Sequence, residues 1–177
     1  FPTRRSSDLT GLTLDTLAAD LTAFVPGRRV DDNGHVLMRY QGGARGMLWC
    51  SQVAPGNENG LRLRVYGTKG GLEWSQEDPN YLWFTPFGEA KRKITRGGAG
   101  SGPEAARMTR VPPGHPEGYL EAFANIYKAF AQHLQCLIEN KTPDTAALDY
   151  PKIQDGVRGM AFIEAVVASS KANAAWT

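Results

Sequence analysis

A chain of 177 residues, 41% hydrophobic and 21% charged, can bury a domain-sized core and has the make-up of an ordinary soluble globular protein. Its formal charge of +2 gives no basis for binding nucleic acid or an anionic membrane, and no apolar run approaches the roughly 20 residues that cross a bilayer. The cysteines Cys50 and Cys136 lack CxxC spacing and read as reduced, buried thiols of a cytoplasmic protein, while His35, His115 and His133 have no metal-ligand spacing.

The chain opens with "FPTRRSSDL". No apolar stretch follows Arg4 and Arg5, which excludes a secretory or twin-arginine signal. A solvated basic arm is chemically reasonable. Read back through the genetic code, however, these residues fit TTC CCT ACA CGA CGC TCT TCC GAT CTN, which resembles a common short-read sequencing adapter. Residues 1–9 are therefore treated as a non-native scar, and the protein proper is expected to start at Thr10, inside a reading frame cut off upstream. Arg4, Arg5 and Asp8 supply a net +1, so the remainder carries +1.

From Thr13 to about Ile94 the pattern is one of short runs with turn punctuation. "TLAADLTAFV" is a predicted strand, and "PGRRVDDNG" is loop chemistry. "HVLMRYQGGARGMLWCSQVA" reads as a hairpin around Gly42 and Gly43, with Val36, Met38 and Tyr40 on one face. "NGLRLRVYGTKGGLEWSQ" alternates cleanly, placing Leu61, Leu63 and Val65 inward and Arg62, Arg64 and Tyr66 outward. "YLWFTPF" and "AKRKIT" complete an antiparallel meander of six or seven strands, because the connections are too short for parallel crossovers. "RGGAGSGPEAARMTRVPPG" reads as a long surface loop.

The period then changes. Leu120, Phe123, Tyr127, Phe130, Leu134 and Leu137 recur at three- and four-residue steps, so an amphipathic helix is predicted, with Pro116 and Glu117 in its first turn. A second helix runs from about Pro151, and its apolar middle, Met160 to Ala168, is expected to be buried on more than one side. Strands followed by helices give an α+β domain: a mostly antiparallel open sheet of about six strands, with two long helices on one face.

The chemistry-bearing stretches are few. "GGAGSGPE" cannot be a dinucleotide or phosphate loop, because Pro103 stands where glycine or lysine is required and no βαβ unit surrounds it. Lys69 reads as a solvated hairpin-tip residue. Gln52, Asn57, Glu58 and Asn59 follow a strand, either as turn formers or as neutral hydrogen-bonding groups for a polyhydroxylated ligand. His115 and Tyr119 stand where a long loop runs into a helix. They read equally as a cap and a wedge against the sheet, or as a pair facing a pocket at the sheet edge. No Ser/His/Asp ordering or carboxylate pair supports a hydrolase.

At "GHPEGYLEAFANIYKAF", "NGLRLRVYGTKGGLEW" and "DGVRGMAFIEAVVASS" the sequence resembles the C-terminal domain of the Gfo/Idh/MocA oxidoreductases, the family of glucose–fructose oxidoreductase and inositol dehydrogenase. The resemblance runs from Thr10 to Thr177. It implies a parent enzyme that uses NAD or NADP to oxidise or reduce a secondary alcohol of a sugar or cyclitol. It also implies an N-terminal Rossmann domain holding the cofactor and a catalytic lysine, neither of which occurs here. "TGL" at Thr10 to Leu12 resembles the end of the family helix that follows the catalytic histidine, so no catalytic residue is carried over and the 177-residue chain is expected to bind no cofactor and to be inactive alone. What the resemblance leaves is a domain that shapes the sugar side of the cleft and joins subunits into a homo-oligomer through its open sheet. His115 and Tyr119 are the leading substrate-binding candidates, with Gln52 and Asn57 behind them. The competing reading is a stand-alone binding or assembly module with a native start near Thr10.

Overall fold

The computed structural model describes residues 10–177; the scar reading of residues 1–9 lies outside them. The described chain forms seven strands and three helices in order: β1 (Leu14–Thr22), β2 (Asn33–Tyr40), β3 (Arg45–Ser51), β4 (Arg62–Gly67), β5 (Gly70–Ser75), β6 (Tyr81–Pro86), β7 (Arg92–Thr95), α1 (Pro103–Met108), α2 (Tyr119–Ile138) and α3 (Ile153–Lys171). Every strand pairing is antiparallel, and strands precede helices, which is the α+β class read from the sequence. The strands are shared between two sheets, β1-β2-β3 and β4-β5-β6-β7, where one continuous meander was expected. The Gly-, Pro- and Asn-rich stretch between β3 and β4 divides them. Two compact units result, one of residues 10–56 with 151–177, the other of residues 57–150.

In the first unit, Gly42 (φ 78°) and Gly43 (φ 93°) take the left-handed backbone that lets a three-residue turn join β2 to β3. Alternation places Val36, Met38 and Tyr40 on the face that meets α3, alongside Leu17 and Ala19 from β1 and opposite Phe162 and Val166. Burying a side chain such as Leu17 contributes about 1.5–3 kcal/mol. The free edge of β1 is closed by the chain's own C-terminal end. Leu17 exchanges two backbone hydrogen bonds with Thr177, both 2.9 Å; the Ala19 N–H donates to Ser169 Oγ at 2.9 Å, and the Leu21 N–H to Ser170 Oγ at 3.0 Å. An edge strand whose N–H groups are occupied in this way offers no template for another chain.

Two expectations differ from the structure, the second of them reaching into the other unit. The α3 middle is buried on one face only: Phe162, Val166 and Ser169 point inward at helical spacing, while Val157 and Met160 are exposed. The thiols are less buried than expected. Cys50 is exposed on β3, the strand farthest from β1 and α3, and Cys136 is half-buried on α2 of the second unit; both are free. Packing against the rest of the chain still pushes the Cys50 thiol pKa up.

In the second unit, Leu63, Trp74, Leu82 and Ile94 stand opposite one another across β4 to β7 and share one face. Arg64, Glu73, Trp83 and Lys93 form the matching row on the other face. There Lys91 Nζ lies 2.8 Å from a Glu73 oxygen, and Lys93 Nζ lies 4.0 Å from the Tyr81 ring centroid. Lys69 is an exposed turn residue, as read from the sequence. The loop after β7 contains the short α1, which the glycine content had hidden; Pro103 occupies its first turn.

Helix α2 starts at Tyr119 with Gly118 as its N-cap, later than expected, so Pro116 and Glu117 lie outside it. Glu121 closes the helix start by accepting the Gly118 N–H at 2.8 Å. That bond, first among the causes, holds the Glu121 carboxyl pKa below its ordinary value. The apolar stripe of α2 is real but faces outward, with Leu120 77% and Tyr127 69% exposed. The face carrying Asn125, Ile126, Ala129, His133 and Cys136 turns inward instead. His133 Nδ1 lies 2.6 Å from Tyr150 Oη, and Phe130 meets the same tyrosine ring edge-on.

Candidate functional site

The segment from Thr109 to Gly118 is irregular backbone, yet three side chains hold it. Arg96 follows β7 directly, and its guanidinium reaches five acceptors. Nε donates to Asn80 Oδ1 at 2.9 Å. One terminal nitrogen donates to the Val111 carbonyl at 3.0 Å and lies 3.2 Å from a Glu117 oxygen. The other donates to the carbonyls of Pro112, at 3.4 Å, and His115.

Glu117 completes the arrangement from within the segment. Its Oε1 accepts the N–H groups of Arg110, at 2.5 Å, and Val111, at 2.7 Å. Its backbone exchanges two hydrogen bonds of 3.0 Å with the Asn80 amide. The Arg96 and Glu117 side chains are 15% and 5% exposed, so the pair is largely withdrawn from water. A buried pair of this kind is tolerable only when its remaining donors and acceptors are satisfied, as they are here. Asn125 of α2 extends the network, donating to the Met108 carbonyl at 3.1 Å and accepting from Arg110.

His115 and Tyr119 both stand at the end of this segment, His115 within it and Tyr119 as the first residue of α2. The His115 backbone is fixed on both sides, its carbonyl by Arg96 and its N–H by the Pro112 carbonyl at 3.2 Å, while the residue as a whole is exposed. It is not the helix cap, because Gly118 is. Tyr119 is 66% exposed and rests on Phe123 at 4.9 Å between ring centroids, so it is not a wedge against the sheet. His115 thus stands exposed on a hydrogen-bonded backbone, and Tyr119 stands exposed at the start of α2.

Gln52 and Asn57 are placed separately. Gln52 is exposed just after β3 in the first unit, its N–H held by the Asp32 carbonyl at 2.8 Å. Asn57 is exposed at the start of the second unit, where its amide oxygen would lie 3.3 Å from a Cβ placed on Gly60. Sequence reasoning missed the Asn80, Arg96 and Glu117 network, because three polar residues far apart in the chain carry no periodic or motif signal.

It also missed a cavity of about 640 Å³ in the first unit, whose lining includes Leu14, Leu17, Met38, Phe162, Asp155 and Arg158. None of the four substrate candidates lines it. Among the described residues, no group of three or more His, Cys, Asp or Glu side chains is placed to hold a metal ion, and no helix is long and apolar enough to cross a membrane.

The model of an oxidoreductase family, C-terminal alpha/beta domain, matches residues 13–176. The uncharacterized oxidoreductase YfiI of Bacillus subtilis (strain 168) is 34% identical over 161 residues, which cover 90% of this chain and 41% of that protein. Among solved structures, an oxidoreductase from Sinorhizobium meliloti is 59% identical, with a TM-score of 0.91 over 97% of this chain and 48% of its own. An inositol dehydrogenase homolog from Azotobacter vinelandii, complexed with NADH and myo-inositol, is 33% identical, with a TM-score of 0.92 over 99% of this chain and 47% of its own. The chain therefore spans less than half the length of the relatives it matches.

Proposed function

The chain belongs to the Gfo/Idh/MocA oxidoreductase family, as its C-terminal alpha/beta domain, and on that footing we propose that it is the substrate-side part of a dehydrogenase acting on a secondary alcohol of a sugar or cyclitol. The observation that carries this reading is the likeness, in fold and at 33% identity, to a protein crystallised with NADH and myo-inositol. The parent enzyme uses NAD or NADP.

The described residues do not fit a dinucleotide. All strand pairings are antiparallel, so no βαβ turn presents a helix N-terminus to a pyrophosphate, and Pro103 closes the one glycine-rich stretch. No step of hydride transfer is therefore assigned to these residues.

Their work is recognition. His115 and Tyr119 offer an imidazole and a phenol to sugar hydroxyls, groups that both donate and accept, from a backbone that has no further ordering to undergo. Gln52 and Asn57 are weaker candidates of the same kind. The exposed face of the three-stranded sheet, with Leu37, Met47 and Trp49, is the surface through which copies of the parent assemble.

The test is the parent enzyme expressed from the complete reading frame and assayed with NAD or NADP against myo-inositol and simple sugars. His115→Ala and Tyr119→Phe are expected to lower kcat/KM for the sugar and to leave cofactor affinity unchanged. Unchanged sugar kinetics in both variants would remove the site assignment. Micromolar NAD binding by the 177-residue chain alone, in a calorimetric titration, would count against the division of labour. Stop codons and an initiator just upstream of Thr10 would favour a stand-alone binding module.

A further inference from the structure

We propose that Arg96 is the positioning residue of the substrate edge: one guanidinium sets where His115 and Tyr119 stand. This rests on the assignment of those two side chains to the sugar. Irregular backbone between a strand and a helix ordinarily samples many conformations, and each residue costs on the order of 1–2 kcal/mol to fix. Here the segment is fixed by a planar fork. The three nitrogens of Arg96 meet Asn80 Oδ1, the carbonyls of Val111, Pro112 and His115, and the Glu117 carboxylate. The acceptors come from both ends of the segment, so the guanidinium closes it into a loop with its own centre.

Glu117 holds the same loop from the opposite charge. It gathers the N–H groups of Arg110 and Val111, and Asn80 ties the Glu117 backbone to the end of the β5–β6 connection. His115 lies within the loop, so a shift of its backbone breaks this set, and Tyr119 opens α2 two residues past Glu117. A lysine at position 96 keeps the charge but has three donors on a single nitrogen, and cannot span five acceptors in a plane.

The test compares Arg96→Lys and Glu117→Gln with His115→Ala. In the 177-residue chain, amide hydrogen exchange over residues 109–118 is expected to rise on the order of tenfold in Arg96→Lys. The rise should be smaller in Glu117→Gln, which keeps an oxygen for Arg110 and Val111, while exchange in β4–β7 stays as it was. In the parent enzyme, Arg96→Lys should raise KM for the sugar on the order of tenfold, with cofactor affinity unchanged, because displacements of about 1 Å carry penalties of that size or more. Unchanged exchange at 109–118 would overturn the clamp. Faster exchange with unchanged sugar KM, while His115→Ala still raises it, would overturn the positioning role and leave the substrate assignment standing. Unaltered sugar kinetics in His115→Ala and Tyr119→Phe would remove that assignment, and the positioning role with it.

Discussion

Replacing Ser169 by alanine removes one oxygen and strands two backbone groups. Ser169 is fully buried; its Oγ accepts the Ala19 N–H at 2.9 Å and donates to the Ala175 carbonyl at 2.6 Å. The two losses are unequal. Ala175 is exposed and its carbonyl regains water, whereas Ala19 is 1% exposed and its N–H has no substitute partner. The expected destabilisation is that of one buried unsatisfied donor, about 1–3 kcal/mol. Ser170→Ala is the control, since it frees the N–H of Leu21, a half-buried residue that solvent can reach, and should cost about 0.5–1.5 kcal/mol. Urea unfolding of both variants measures the difference, and each kcal/mol also lowers the melting temperature by about 2–4 °C in a chain of this size. Hydrogen exchange at the Ala19 amide localises the effect. Equal destabilisation by the two variants, or an Ala19 amide that keeps its protection in Ser169→Ala, would refute the account of the β1 edge.

Leu17→Ala, in the core between β1 and α3, should cost about 2–5 kcal/mol, whereas Leu120→Ala on the outward stripe of α2 should stay within about 0.5 kcal/mol. A large loss at Leu120 in denaturant titration would show that the stripe is packed. Gly70→Ala places a Cβ 2.4 Å from the Thr85 carbonyl oxygen at a φ of 149°, so a loss of about 1–3 kcal/mol or more is expected in thermal unfolding. Asp32 is held below its ordinary pKa by the Phe24 N–H first, then by the Val25 N–H and by Arg28. A lowered carboxyl contributes stability that is present above its ordinary range and lost as the pH falls below about 4. Asp32→Asn should lack that part of the acid dependence, and parallel melting curves for the two proteins between neutral and acid pH would argue otherwise.

Local signals gave the elements, and long-range contacts decided what covers them. Alternation in "NGLRLRVYG" and the glycine pair at 42 and 43 sufficed for strands and turns, because a strand's faces and a turn's left-handed residues are written into neighbouring positions. The three- and four-residue steps of α2 sufficed for a helix with an apolar side. They could not say which way that side faces, because direction depends on what lies against the helix and not on its period. The α2 start was misplaced for a related reason. Pro116 and Glu117 carry first-turn chemistry, but Glu117 is drawn into the network around Arg96, and Gly118 with Glu121 makes the cap instead. His115 and Tyr119 could be singled out because a loop–helix junction is visible in sequence. The group that holds the His115 backbone lies 19 residues earlier, on the far side of α1, and nothing local announces it.

The outward stripe of α2 also bears on how any preparation of this chain should be judged. A helix of this length runs about 30 Å and carries aromatic and leucine side chains along it in the native fold. Dyes that brighten on apolar surface will therefore bind the correctly folded chain, so their fluorescence cannot serve by itself as a sign of a molten state. Near-ultraviolet circular dichroism, which reports fixed aromatic packing, is the safer criterion of quality.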